Sequence, residues 1–102
     1  MTVEVVLDGE LDISTFDAAQ QRVEEAEHAN PELLVVDLSR LTFVDSTGVR
    51  LVLLADARAR EAGRRLAVRL GGGSALRVFA ALGLIEKLDV LPEAQAAPDG
   101  AA

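Results

Sequence analysis

The sequence predicts an α/β domain, a mostly parallel four-stranded sheet covered by three or four helices. Apolar runs of strand length alternate along the chain with stretches whose apolar residues recur at helical spacing. Each connection between successive strands is too long for a hairpin, which makes the strands parallel neighbours joined by right-handed crossovers. A length of 102 residues, half of them hydrophobic, suffices for one core without disulfide staples, and there is no cysteine.

The elements follow in order. Val3-Glu4-Val5-Val6-Leu7 reads as a strand, with Asp8-Gly9 as the turn that closes it. Ser14 followed by Asp17 has the spacing of a capping box, and Phe16, Ala19, Val23 and Ala26 then mark one helical face up to Asn30-Pro31. Leu33 to Leu38 is nearly all apolar, as in a central strand covered on both faces, and a turn at Ser39-Arg40 separates it from the short apolar piece Leu41 to Val44.

Asp45-Ser46-Thr47-Gly48 forms the junction to a second helix that ends near Gly63. Leu51, Val52, Ala55, Ala59 and Ala62 fall on the arc that faces the sheet. Arg64 to Leu70 alternates as a half-buried strand with Leu66, Val68 and Leu70 inward. Ser74 caps a third helix with Leu76, Phe79 and Leu82 inward, and Gly83 stops it in a Schellman turn that brings Leu84 against Phe79. Lys87 to Val90 makes a short last strand. The domain is expected to span residues 1–91, and the Ala-, Pro- and Gly-rich segment 92–102 to be disordered.

Charge narrows the function. The formal net charge is −7, which opposes direct binding to nucleic acid or anionic lipid. No apolar run is long enough to span a bilayer, and the N-terminus lacks the basic start of a signal peptide, so a cytoplasmic protein is expected. Residues 1 to 49 hold eleven acids against Arg22 and Arg40, whereas Arg50, Arg58, Arg60, Arg64, Arg65, Arg69 and Arg77 face only Asp56 and Glu61 in residues 50 to 77. Such arginines are usually solvated, with their stems packed along the surface.

No enzyme chemistry is expected: no catalytic residue, metal site or cofactor. The one histidine, His28, lies at a helix end with no triad around it, and Lys87, the one lysine, is misplaced for a phosphoacceptor or nucleotide site built from the aspartates or Gly71-Gly72-Gly73-Ser74. Asp45-Ser46-Thr47-Gly48 shares the Asp-Ser/Thr-Gly order of aspartic protease loops, but the helical periods contradict that nearly all-β fold.

The junction at Ser46 is the leading candidate site. The start of a helix holds unpaired N–H groups and the positive end of the peptide dipoles, which together favour an anion such as a phosphate. Asp, Ser and Thr are also common N-caps, so Ser46 can stabilise the helix, carry a switch, or do both. Binding sites in parallel sheets gather beyond the carboxyl ends of the strands, which places Asp12 and Ser46 on one rim. Val49 and Leu53 fall outside the core-facing arc and Leu54 lies on the far side with Arg50, giving a docking surface next to the hydroxyl.

These residues together resemble the STAS family, the domain of bacterial anti-sigma-factor antagonists. Gly9-Glu10-Leu11-Asp12 resembles its Gly-Glu-Leu-Asp turn, Val35-Val36-Asp37-Leu38-Ser39 its central strand, and Phe43-Val44-Asp45-Ser46-Thr47-Gly48 its phosphorylation loop. Glu61-Ala62-Gly63 and Leu82-Gly83-Leu84 resemble the later helix ends.

The resemblance implies a single STAS-like domain, with an added antiparallel edge strand in many members for which this chain has little room before Val3. It also implies phosphorylation of Ser46, or of Thr47 as second choice, in a setting of Asp12, Asp45, Thr47 and Gly48. The implied partner is an anti-sigma factor with serine kinase activity, bound through Asp12, Val49, Arg50, Leu53 and Leu54, and a serine phosphatase would reverse the modification. The alternative is a STAS regulatory subunit of a lipid-transport ABC complex.

Overall fold

A computed structural model describes residues 1–92, and the expected tail beyond Pro92 lies outside the described residues. Within them, β1 (Thr2–Leu11), α1 (Phe16–His28), β2 (Leu33–Val44), α2 (Ser46–Ala62), β3 (Arg65–Arg69) and α3 (Ser74–Ala81) follow one another. The three strands pair in parallel in the order β1-β2-β3. The fourth strand expected at Lys87 to Val90 is reduced to one parallel bridge between Val68 and Val90. Its preceding residues turn back instead, with the Lys87 and Leu88 N–H groups donating to the Leu84 carbonyl at 3.0 and 3.1 Å. Among the described residues no antiparallel strand is added to β1, which forms an edge of the sheet.

The β1 and β2 strands are longer than their patterns indicated. Asp8-Gly9 does not end β1, and Ser39-Arg40 does not interrupt β2, because two register shifts absorb the irregular residues between Val6 and Asp8 and between Gly9 and Glu10. Gly9 takes φ +79° at the second, a conformation that strains any residue with a Cβ. Both strands therefore run on to the Leu11–Val44 pair, side by side at the rim where α2 begins.

Strand residues pointing one way, Val5, Leu7, Leu34, Val36, Leu38, Leu66 and Val68, form one buried cluster with Leu70 just beyond β3 and with residues of all three helices. Val35 and Ala67 point the other way and are also buried, so β3 is not half-buried as its alternation suggested. That second face carries ion pairs. Arg69 lies 3.5 Å from Glu4 and 3.8 Å from Asp37, and Asp37 also accepts from the Ser39 N–H and hydroxyl at 2.9 and 2.7 Å. These charged side chains stand at same-face positions around Val35 and Ala67, where their stems can cover apolar surface.

Helix ends depart from expectation where another group takes the cap. The Ser14 hydroxyl donates to Asp12 Oδ1 at 2.8 Å, so α1 starts after Thr15 and no Ser14–Asp17 capping box forms. Ser74 lies inside α3, and its hydroxyl donates to the Thr42 carbonyl at 2.9 Å, pinning α3 to the end of β2. Gly63 and Gly83 both end helices with φ +70°, and the Leu84 N–H donates to the Phe79 carbonyl at 2.9 Å, which completes the Schellman turn. Leu82 and Ala62, expected inward, are exposed because each sits where its helix gives way to a glycine turn.

At Gly48 the second helix meets the ends of both strands. A Cβ there would stand 2.7 Å from Val44 Cγ2, 2.8 Å from Leu11 Cγ and 2.9 Å from the Leu11 carbonyl oxygen. Gly48→Ala should therefore lower stability by roughly 1–3 kcal/mol through overpacking, seen as a lower urea midpoint at unchanged slope.

Candidate functional site

The rim is assembled by Asp12 and Asp45, each immediately beyond the paired residues Leu11 and Val44. The Asp45 N–H donates to the Leu11 carbonyl at 3.3 Å, tying the two strand ends together. Asp45 is also the N-cap of α2. Its Oδ1 accepts from the Thr47 N–H at 2.9 Å and the Gly48 N–H at 3.3 Å, filling two of the donors that a helix start leaves open.

Ser46 is thereby released from capping. It is the first residue of α2, it is exposed, and its hydroxyl has no hydrogen-bond partner among the described residues. Thr47 is partly covered and Gly48 is buried. The two roles weighed for the Ser46 hydroxyl thus divide between neighbours, with Asp45 holding the helix and Ser46 facing solvent.

Asp12 folds its own turn. Its Oδ1 accepts from the Ser14 hydroxyl at 2.8 Å, the Ser14 N–H at 3.0 Å and the Thr15 N–H at 3.2 Å. These bonds, the Ser14 hydroxyl first, hold the Asp12 carboxyl below its ordinary value of 3.8. Thr15 Oγ1 accepts from the Asp12 N–H at 3.0 Å and donates to the Glu10 carbonyl at 2.9 Å, closing the turn. Asp12 and Asp45 are carboxylates on the same rim as Ser46, and no hydrogen bond links either one to its hydroxyl.

Val49 must be corrected. It was expected on the docking surface, yet it is 4% exposed and belongs to the core cluster. The first turn of α2 lies so close to the ends of β1 and β2 that its buried face widens to take in Gly48 and Val49 as well as Leu51 and Val52. Leu53 and Leu54 do reach the surface, at 40% and 39% exposure, and Arg50 is exposed one turn after Ser46. With Ala57 they form an exposed stripe along α2.

Two residues of the rim were missed. Phe43 is 47% exposed near the end of β2, and Ile13 is 80% exposed in the turn after Asp12. A shallow groove of about 290 Å³ is lined by Ile13, Phe16, Asp17, Thr47 and Arg50. A lone isoleucine between Asp12 and Ser14 was the available signal, since burial cannot explain an apolar side chain in a polar turn. Among the described residues no group of carboxylates or imidazoles is arranged to hold a metal ion, and no helix is long and apolar enough to cross a membrane.

A family model described as Mlab, STAS domain, matches residues 1–92. Among solved structures, an anti-sigma factor antagonist from Mycobacterium paratuberculosis superposes with a TM-score of 0.80 at 24% identity, over 91% of this chain and 80% of the other. The anti-sigma factor antagonist SpoIIAA in its unphosphorylated form gives 0.71 at 26% identity, over 93% and 84%. A sulfate transporter family protein from Wolinella succinogenes gives 0.69 at 16% identity, over 87% and 75%. No curated protein matches significantly.

Two measurements separate the roles at this site. Asp45→Ala should cost about 0.5–2 kcal/mol by loss of the cap, whereas Ser46→Ala should change stability by less than about 0.5 kcal/mol, both read by chemical denaturation. Because the folded Asp12 carboxyl titrates below 3.8, its bonds to the 12–15 turn are present above that pH and lost as the pH falls through the lowered value. The Ser14 and Thr15 amide resonances should therefore shift with an inflection below 3.8.

Proposed function

The chain belongs to the STAS domain family, and from that premise we propose that it is an anti-sigma-factor antagonist switched by phosphorylation of Ser46. Its partner in this reading is an anti-sigma factor that is also a serine kinase. The unmodified protein binds that partner and releases a sigma factor, and a serine phosphatase restores it after phosphorylation. It acts in the cytoplasm, without touching nucleic acid or membrane and without catalysing a reaction itself.

The observation that carries the reading is the exposed, unbonded Ser46 hydroxyl at one end of the stripe of Arg50, Leu53, Leu54 and Ala57. The kinase places the γ-phosphorus of ATP on Ser46 Oγ, with loss of the hydroxyl proton and departure of ADP. No local structure must break for this, because Asp45 and not Ser46 caps the helix. The added charge is about −1.5 to −2, and it falls on a rim that already holds the Asp12 and Asp45 carboxylates. A partner surface matched to the unmodified rim then meets repulsion and must desolvate a phosphate. Thr47, partly covered and packed along the groove, is the weaker acceptor.

A second reading is a STAS regulatory subunit of a lipid-transport ABC complex, for which the match over residues 1–92 to the family model described as Mlab, STAS domain, is the supporting observation. Retrieval of partners from the source cell separates the two, since an ATPase of the transporter type would replace the kinase-type anti-sigma factor.

Incubation with the cognate kinase and ATP should add one phosphate to the chain, located at Ser46 by mass spectrometry and absent from Ser46→Ala. A phosphate found on another residue would overturn the assignment. Ser46→Asp should weaken partner binding by about tenfold or more in titration calorimetry, equivalent to about 1.4 kcal/mol.

A further inference from the structure

The two other arginines of α2 are engaged by carboxylates. Arg58 donates from Nε to both carboxylate oxygens of Glu27 at 3.1 Å, and Arg60 donates to Asp56 at 2.9 Å. Arg50 has no carboxylate within ion-pair distance and no hydrogen bond from its guanidinium among the described residues. It lies four residues after Ser46, so both side chains project from the same exposed stripe of one helix. It also lines the groove with Thr47 and Ile13, so its side chain reaches toward the start of α2, the direction in which long side chains project from a helix.

The neighbouring acids leave this cation unclaimed. Asp45 gives its Oδ1 to the Thr47 and Gly48 N–H groups and Asp12 its Oδ1 to Ser14 and Thr15, and neither forms an ion pair with Arg50. Asp17 lines the same groove without forming an ion pair to Arg50. Resting on the assignment of Ser46 as the modified residue, we propose that Arg50 is the intramolecular receptor of the Ser46 phosphate. Phosphorylation then closes a phosphate–guanidinium pair over one turn of α2 and withdraws Arg50 from partner docking.

The chemistry favours this closure. A phosphate dianion offers three acceptor oxygens to the guanidinium fork, and an acid placed four residues before a base is the better order for a helical pair. The switch thus changes the stripe twice, by presenting a phosphate and by removing the positive charge beside Leu53 and Leu54. Repulsion from Asp12 and Asp45 alone would need no contribution from Arg50, which makes the two mechanisms separable.

The test uses chain carrying phosphoserine installed at position 46 by genetic encoding, so it needs neither kinase nor partner. The second phosphate ionisation is followed by phosphorus NMR in the wild-type chain and in Arg50→Gln and Arg50→Lys. A nearby cation favours the dianion, so the wild-type pKa should lie roughly 0.3 unit or more below that of Arg50→Gln, with Arg50→Lys recovering part of the difference. The difference should shrink as salt is raised. Unmodified Arg50→Gln should melt with the wild type, showing that the variant is folded. Coincident titration of wild type and Arg50→Gln would overturn capture by Arg50 while leaving Ser46 as the kinase target. Failure of the kinase to modify Ser46 is read in the separate mass-spectrometric experiment.

Discussion

The close approach of Gly48 to Leu11 and Val44 determines where everything else at the rim can stand. A backbone without a side chain lets the first turn of α2 settle onto the ends of β1 and β2. The Asp45 N–H bond to Leu11 holds the same junction from the outside. With that seat fixed, the 3.6-residue period turns Val49, Leu51 and Val52 inward and leaves Ser46, Arg50, Leu53 and Leu54 outward. The switch candidate is exposed because a glycine two residues later is buried.

Under the proposed switch, structure and signalling fall to different side chains within this short segment. Asp45 satisfies the helix start, so the hydroxyl beside it carries no stabilising duty and can be modified without loosening α2. Asp12 likewise spends its carboxylate on the turn from residue 12 to residue 15. It contributes a fixed negative charge to the rim without bonding Ser46. A modification at such a place alters the potential of a surface whose backbone is already determined, so recognition can change with little refolding.

Much of the fold was legible because parallel βα units write strong patterns. The Leu33 to Leu38 run, the helical spacing after Ser46 and the glycines at 63 and 83 each have one economical physical explanation, and the structure uses it. What the sequence hid was competition between neighbouring groups. Ser14 and Ser74 look like caps, but a carboxylate and a carbonyl claim their hydroxyls. Asp8-Gly9 looks like a stop, but a register shift on the paired strand lets β1 continue. At the site, the exposure of Ser46, Leu53 and Leu54 could be read from helical period. The burial of Val49 could not, because it depends on how close α2 sits to the sheet.

The Glu4–Arg69–Asp37 row gives the sheet two unlike sides. One packs against residues of all three helices, and the other carries these paired charges. Such a surface is wettable and offers little adhesion, whereas Ile13, Phe43, Leu53 and Leu54 expose apolar area along the rim and α2. Asymmetry of stickiness, built into the sheet itself, gives a small domain a defined front.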